Sequence, residues 1–194
     1  MNSKEIYLKI FNNDPEYSGE GAEWSDKHHF TILKKYSNLC ESVTEFGVYD
    51  WNTTWAFISS DIKKLRCYDG KVNRGKFHRE NGGYKDVVRC CEEEEIDFEF
   101  VHADTRKCEI ESTDMLFLDT WHTYDQVKSE LRFANKVKKY IIFHDTVLYG
   151  KVGSGGNLGI LPAIYDFLID NYKEWQVLED DKHSNGIMVI GRVE

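Results

Sequence analysis

The sequence has 194 residues and a formal net charge of −9 at pH 7. This length suits one domain with a single sizeable core, and the acidic balance disfavours nucleic acid as a partner. No apolar run approaches the roughly 18 residues of a membrane span, and the first residues lack the apolar core of a signal peptide. The sequence therefore predicts a soluble, cytoplasmic protein without nucleic-acid or membrane partners, and it leaves open whether the chain forms a homo-oligomer.

Predicted helices and strands alternate along the chain. Residues 1–24 have no clear period and predict an N-terminal arm or lid, whereas residues 25–194 predict a single domain. The predicted helices are one capped by Ser25 or Asp26 and running to Leu39, then 53–60, 85–95, 123–138 and 160–172. The predicted strands are 43–48, 64–69, 96–104, 114–119, 140–145, 174–180 and 186–193.

This alternation predicts an α/β fold with a mostly parallel sheet and helices on both faces. Only the last two strands, joined by a turn that contains Asn185-Gly186, are predicted to be antiparallel. An open sheet of this kind binds its ligand at the carboxyl ends of the strands. Four predicted strands end there in an acid: Asp69, Asp104, Asp119 and Asp145.

Two of these acids predict a metal site. Asp119 and Asp145 should end neighbouring strands about 4.8 Å apart, where two carboxylates repel unless they share a cation. With His144 as a third ligand the set suits Mg²⁺ or Mn²⁺. The alternative is that Asp145 and Thr146 cap a loop and His144 packs against the sheet. His122 is a candidate general base or a plain helix-start residue, and His144 is the other candidate base.

The first two strands predict a nucleoside site. Gly47 at the end of the first strand allows close approach of a ligand to the backbone. Asp69 lies 24 positions after Glu45, which suits a carboxylate that accepts ribose hydroxyls in NAD or S-adenosylmethionine sites; the alternative is a strand-end turn. No GxGxxG motif follows the first strand, which disfavours a dinucleotide and hence an NAD dehydrogenase.

Several sequence blocks between Ser25 and Arg192 carry a resemblance. They are SDKHHFTILKKYSNLCESVTEFGV, TTWAF, KLRCYD, DMLFLDTWHTYDQVKSEL, YIIFHDT, GILPAIYDFL, EWQV and SNGIMVIGR. Together they resemble the class I S-adenosylmethionine-dependent methyltransferases. More narrowly, they resemble the group that includes metal-dependent small-molecule O-methyltransferases and cephalosporin-hydroxylase-like proteins.

The resemblance implies a Rossmann-like, doubly wound, seven-stranded sheet with a C-terminal antiparallel hairpin, and S-adenosyl-L-methionine (SAM) as the cofactor. It also assigns site residues. Glu45 and Gly47 would line the methionine side, Asp69 would hold the ribose, Asp104 would lie near the adenine, and Asp119, His144 and Asp145 would surround a divalent metal, Mg or Mn, with Asp119 also contacting the cofactor. Trp51 stands where many methyltransferases have glycine, and an inward-pointing indole there would crowd the cofactor.

The predicted function is O-methylation of a small hydroxylated molecule, a saccharide or a phenol, assisted by a divalent metal. In this prediction His122 or His144 takes the hydroxyl proton. Two alternatives remain open at this stage. One is a catalytically silent methyltransferase-like binding module, and the other is a metal-dependent hydrolase or hydroxylase that uses the same acidic cleft without SAM.

Overall fold

The computed structural model describes residues 1–18, 27–71 and 78–193. The strands are β1 Ser42–Phe46, β2 Lys64–Asp69, β3 Asp97–His102, β4 Thr113–Leu118, β5 Val137–His144, β6 Trp175–Asp181 and β7 Ile187–Arg192. The helices are α1 Ser3–Phe11, α2 Pro15–Ser18, α3 Lys27–Ser37, α4 Asn52–Ile58, α5 Tyr84–Glu93, α6 Tyr124–Glu130 and α7 Ile160–Asp170, with short 3₁₀ segments at Leu131–Lys136 and Ser154–Gly156.

The strands form one seven-stranded sheet in the order β3-β2-β1-β4-β5-β7-β6. β2 pairs in parallel with β1 and with β3, and β4 pairs in parallel with β5. β7 runs antiparallel to both β5 and β6. The predicted α/β class, with a mostly parallel Rossmann-like sheet and a C-terminal antiparallel hairpin, is confirmed. Within the described residues, no helix combines the length and the apolar character needed to cross a membrane.

The chain divides into two compact units, Met1–His102 and Ala103–Glu194. In the first unit, α1 begins with a capping box in which Asn2 and Glu5 bond each other's backbone N–H groups. The helix buries Ile6 and Ile10, so this part of the predicted arm or lid is a helix with an apolar face packed inward. Residues 19–26, with the predicted helix caps at 25 and 26, lie outside the described residues.

Trp51 belongs to the core of the first unit. It precedes α4 in a left-handed backbone conformation, with φ at 71°, and its side chain is fully buried. The indole lies 5.6 Å from the ring of Tyr84 and 5.6 Å from that of Phe100, with Phe98 at 6.3 Å. An aromatic cluster of α5 and β3 side chains therefore surrounds the indole.

In the second unit, every residue of β4 is buried, as expected for a central strand in a sheet covered on both faces. The helix predicted at 123–138 is shorter than expected. It ends at Glu130, a 3₁₀ segment follows, and β5 begins at Val137. Because Val137 pairs with Thr113 at the start of the parallel ladder, the chain must leave the helical conformation before that residue.

The turn between β6 and β7 packs against the chain that leaves β5. The N–H of Thr146 donates to the carbonyl of Gly186 at 3.2 Å, and the N–H of Val147 donates to the carbonyl of Asn185 at 2.8 Å. Gly186 has φ at 83°, and a Cβ there would lie 2.5 Å from the backbone nitrogen of Val147. Both the conformation and the close approach require glycine.

Candidate functional site

Four side chains of the second unit meet at the carboxyl ends of β4 and β5. Asp119 directly follows β4, His144 ends β5, and Asp145 comes next, while His122 lies in the loop before α6. Nε2 of His122 lies 3.0 Å from Oδ1 of Asp119 and 3.1 Å from Oδ2 of Asp145. Nδ1 of His144 lies 3.5 Å from Oδ2 of Asp119 and 3.2 Å from Oδ1 of Asp145. Acids and imidazoles therefore alternate around a closed ring, which we call the acid–histidine ring.

The acid–histidine ring is largely shielded from solvent. Exposure of the side chains runs from 10% for Asp145 to 26% for Asp119. Burial alone would lower the pKa of His144, but the charge of Asp119 and the close contacts of the imidazole with the Asp119 and Asp145 carboxylates outweigh burial and raise that pKa to about 10. Burial likewise opposes ionisation of Asp119, yet His144 and His122 hold the pKa of the Asp119 carboxyl well below its usual range. The ring thus pairs negative carboxylates with a readily protonated imidazole.

The donor set fits a divalent cation. One donor atom each from Asp119, His144 and Asp145 lie within 4.8 Å of one another. Oδ1 of Asp145 is buried and makes no hydrogen bond within the described part of the chain, since its contact with His144 is a close ion pair without hydrogen-bond alignment. Two carboxylates and one imidazole suit Mg²⁺ or Mn²⁺. The imidazole of His144 also lies 6.2 Å from the ring of Phe117 in β4. His144 therefore makes the packing contact of the alternative prediction while it lies beside the two acids.

The protonation of His122 follows from its neighbours. A carboxylate only accepts hydrogen bonds, and Nε2 of His122 faces two of them, so Nε2 carries a proton. In the neutral ring, Nδ1 is then the nitrogen with a lone pair. The ring face of Tyr149 stacks on His122 at 4.6 Å with an interplanar angle of 10°. Sequence reasoning did not identify Tyr149 because nothing in the local sequence links it to His122.

In the first unit, the structure places Glu45 inside the core. Its side chain is fully buried, and its two carboxylate oxygens accept hydrogen bonds from the hydroxyls of Thr53 and Thr54 at 2.6 Å each. The thiol of Cys67 also donates to Glu45 at 3.2 Å. The two threonine contacts tie the carboxylate to the first turn of α4. Glu45 would therefore influence a bound cofactor by positioning that turn.

Asp69 and Gly47 shape the loop after β1. Gly47 has φ at 87°. Oδ2 of Asp69 accepts from the N–H groups of Val48 and Tyr49 at 2.9 and 3.1 Å, and Oδ1 accepts from Lys71 N–H at 2.7 Å. These hydrogen bonds to backbone N–H groups are those expected if Asp69 stabilises the turn at the end of its strand, which was the alternative prediction. A carboxylate offers about four acceptor positions, and donors among the described residues use three of them, which leaves one for a ligand hydroxyl.

Asp104, at the start of the second unit, is engaged by Arg106. Oδ1 accepts from the backbone N–H and from Nε of Arg106, both at 3.0 Å, and Oδ2 accepts from the guanidinium at 2.8 Å. Hydrogen bonds to Arg106 lower the pKa of the Asp104 carboxyl to about 2. Asp104 therefore remains ionised, and its acceptor positions are mostly used within its own loop.

A buried carboxyl that sequence reasoning missed supports this region. Glu130, at the end of α6, is fully buried. Its Oε1 accepts from the hydroxyl of Thr105 at 2.5 Å and from the amide of Gln126 at 2.6 Å, and its Oε2 accepts from the hydroxyl of Thr120 at 2.9 Å. Because Thr120 follows Asp119 directly, Glu130 fixes the loop that begins with a member of the acid–histidine ring. An acid on a predicted amphipathic helix gives no signal of burial.

Glu130 also predicts a pH dependence of stability. Burial raises the pKa of its carboxyl, although the hydrogen bonds from Thr105, Gln126 and Thr120 oppose the shift. A raised folded-state pKa means that the stabilising contribution is present below the ordinary value of 4.5 and is lost as pH rises through the folded value. Glutamine resembles the protonated form. As pH rises from about 4 to 8, the wild type should lose stability relative to Glu130→Gln, so the free energy of unfolding of the variant minus that of the wild type should increase.

Urea unfolding at several pH values measures this gain. The matched control is Glu111→Gln, which changes an exposed acid of the same unit and should run parallel to the wild type. A Glu130→Gln curve that also stays parallel to the wild type would rule out the raised pKa.

Comparisons with known proteins identify the fold. No protein-family model matches the sequence, and no curated protein matches it either. Solved structures do match along nearly the whole chain. An O-methyltransferase from Bacillus cereus in complex with S-adenosylhomocysteine (SAH) is 13% identical with a TM-score of 0.66, covering 99% of this chain and 90% of that one.

Two further solved structures match this chain over nearly its whole length. The O-methyltransferase TomG from Streptomyces achromogenes, involved in tomaymycin synthesis and crystallised with SAM, is 13% identical with a TM-score of 0.63, covering 98% of this chain and 90% of its own. The N-terminal domain of EvdMO1, crystallised in the presence of SAH and D-fucose, is 13% identical with a TM-score of 0.55, covering 100% and 98%. The chain therefore has the fold of the class I SAM-dependent methyltransferases.

Proposed function

We propose that this protein is a SAM-dependent methyltransferase that transfers the methyl group to a hydroxyl of a small molecule with the help of a divalent cation. The observation that carries the proposal is the acid–histidine ring at the carboxyl ends of β4 and β5. The ring occurs in a fold shared with O-methyltransferases crystallised with SAM or SAH.

The first unit supports SAM binding through Asp69 and Gly47. With respect to the part of the chain that the structure describes, Asp69 keeps one acceptor position for a ribose hydroxyl while it holds the loop after β1. Gly47 gives that loop a left-handed start. The indole of Trp51 is packed in the aromatic cluster of α5 and β3, so the bulky residue at a usual glycine position does not argue against a cofactor. When bound, SAM supplies an electrophilic methyl group.

Asp119, His144 and Asp145 would hold the cation. A divalent cation supplies Lewis acidity that lowers the pKa of a nearby hydroxyl. His144 must give up its proton to serve as a ligand, and its pKa of about 10 means that protons compete with the metal. His144 nevertheless belongs to the cluster of donor atoms that lie within 4.8 Å of one another, so we assign His144 to the metal and His122 to the base.

His122 has the arrangement expected of a general base. The carboxylate of Asp119 accepts from Nε2–H, that of Asp145 lies 3.1 Å from the same nitrogen, and the two negative charges would stabilise the charged imidazolium. Nδ1 is then the atom that takes the hydroxyl proton. A base oriented by carboxylates, with its second nitrogen presented to the substrate, contributes roughly 10²–10⁴-fold in typical enzymes.

The acceptor we propose is a small hydroxylated molecule, with saccharides and phenols as the classes to test. Trp121, directly before His122, is 57% exposed, and an exposed indole offers a flat apolar face to a sugar or an aromatic ring. The presence of D-fucose with the EvdMO1 domain supports including saccharides.

Isotope-labelled SAM tests the proposal. The purified protein is incubated with labelled SAM, Mg²⁺ or Mn²⁺, and panels of saccharides and phenols, and labelled products are sought by mass spectrometry. Calorimetry with SAH measures cofactor binding separately. Label in an acceptor supports the proposed function. SAH binding without transfer to any acceptor favours a silent binding module, and conversion of an acceptor without SAM favours a hydrolase or hydroxylase.

A further inference from the structure

The loop after β5, residues 146–159, is fastened to the segment that carries His122. We call it the glycine loop. The N–H of Ser154 donates to the carbonyl of His122 at 2.9 Å, and the N–H of Tyr124 donates to the carbonyl of Leu158 at 2.9 Å. A Cβ at Gly153 would collide with the carbonyl oxygen of His122. The loop therefore packs backbone against backbone around one residue of the acid–histidine ring.

Tyr149 brings a side chain of the glycine loop to the same residue. Its ring is parallel to the imidazole of His122, with centroids 4.6 Å apart and planes tilted by 10°. The edge of that imidazole meets Asp119 and Asp145 through Nε2. The N–H of Tyr149 donates to the carbonyl of Asp145 at 2.9 Å, so the stacking ring is anchored to one of these two acids.

We propose that Tyr149 is a positioning residue that holds the imidazole of His122 with Nε2 toward the two carboxylates. The second side-chain torsion of histidine is broad and roughly two-fold. Two carboxylates near one nitrogen do not fix the ring plane by themselves, whereas a stacked ring does. This inference rests on the proposed function for its catalytic consequence, because His122 is the base there, but the orientation of His122 can be measured on its own.

Relaxation of the His122 ring by NMR tests the positioning role on the full-length protein. Tyr149→Phe keeps the stacked ring, and Tyr149→Ala removes it. In the wild type and in Tyr149→Phe, the ring order parameter of His122 should approach that of rigid backbone, about 0.85, and in Tyr149→Ala it should fall toward the flexible range, about 0.6 or below. Spectra of His122→Gln assign the signal. Tyr172→Ala, at a tyrosine that is 68% exposed, controls for loss of a tyrosine elsewhere in the unit.

Methyl transfer supplies the second readout. Tyr149→Ala should lower kcat by about 2- to 12-fold, the range that an aromatic pair supports, with the KM of the acceptor unchanged and with activity restored in Tyr149→Phe. An equally rigid His122 in Tyr149→Ala, an unchanged kcat in that variant, or a Tyr149→Phe variant as impaired as Tyr149→Ala would overturn the inference. If the wild type methylates no acceptor, the proposed function fails, and the relaxation comparison still decides whether Tyr149 holds His122.

Discussion

Asp145→Asn is expected to bind Mn²⁺ at least ~100-fold more weakly than the wild type, because removal of a direct ligand should exceed the roughly 10–100-fold cost of losing a supporting partner. The substitution removes a charge from a side chain that is 10% exposed and contacts both His122 and His144. Asp145 has φ at 59°, a conformation that asparagine tolerates well. The amide therefore replaces the carboxylate without added backbone strain, and metal-dependent methyl transfer should fall with the affinity.

Titration of Mn²⁺ followed by electron paramagnetic resonance measures this change. Asp125→Asn is the matched control, because it removes the same charge from an exposed position in the first turn of α6 and should leave the affinity as it is. Equal Mn²⁺ affinity in Asp145→Asn and the wild type would refute the assignment of Asp145. A wild type that binds no divalent cation would refute the metal site as a whole.

Trp51→Ala is expected to reduce the free energy of unfolding by roughly 3–5 kcal/mol, as buried tryptophan-to-alanine changes do. The indole is fully buried and fills the space between Tyr84 and Phe100, so truncation leaves a cavity lined by rings. Alanine keeps the left-handed backbone strain at φ 71°, whereas Trp51→Gly relieves about 1 kcal/mol of it. Trp51→Gly should therefore be slightly less destabilised than Trp51→Ala despite the larger deletion.

Urea denaturation followed by circular dichroism provides the measurement. Trp121→Ala makes the same substitution at a position that is 57% exposed, and it should change stability by no more than about 0.5 kcal/mol. Similar losses for the variants at Trp51 and Trp121 would contradict a core role for Trp51 in the first unit.

The ends of the strands were predictable because apolar runs stop abruptly at polar residues. Buried parallel strands need continuous apolar sequence, and 114–119 and 140–145 show it clearly. Since parallel neighbours end at the same edge, the proximity of Asp119, His144 and Asp145 followed from two local patterns and one topological rule. Their roles toward a metal stay predictions until a cation is titrated.

Other features depend on contacts between distant parts of the chain. The alternation of polar and apolar residues could not show which face of the sheet Glu45 occupies, because its neighbours in β1 are buried on both faces. Glu130 lies on a helix where an acid normally faces water, and hydrogen bonds from Thr105, Thr120 and Gln126 make its burial tolerable. In contrast, α1 was missed although its sequence carries a signal, because the Asn2–Glu5 capping box precedes Ile6 and Ile10 one helical turn apart.

The contact of Gly186 with the backbone at Val147 means that a residue in the β6–β7 hairpin limits which substitutions the acid–histidine ring can tolerate nearby. A single methyl group added at Gly186 would push on the peptide that follows Asp145 and Thr146. In a library of random variants selected for turnover, position 186 should therefore be as intolerant of substitution as the acids themselves. Variation in the neighbouring exposed residue Ser184, whose φ is 52°, should be limited to side chains such as asparagine that accept a left-handed backbone.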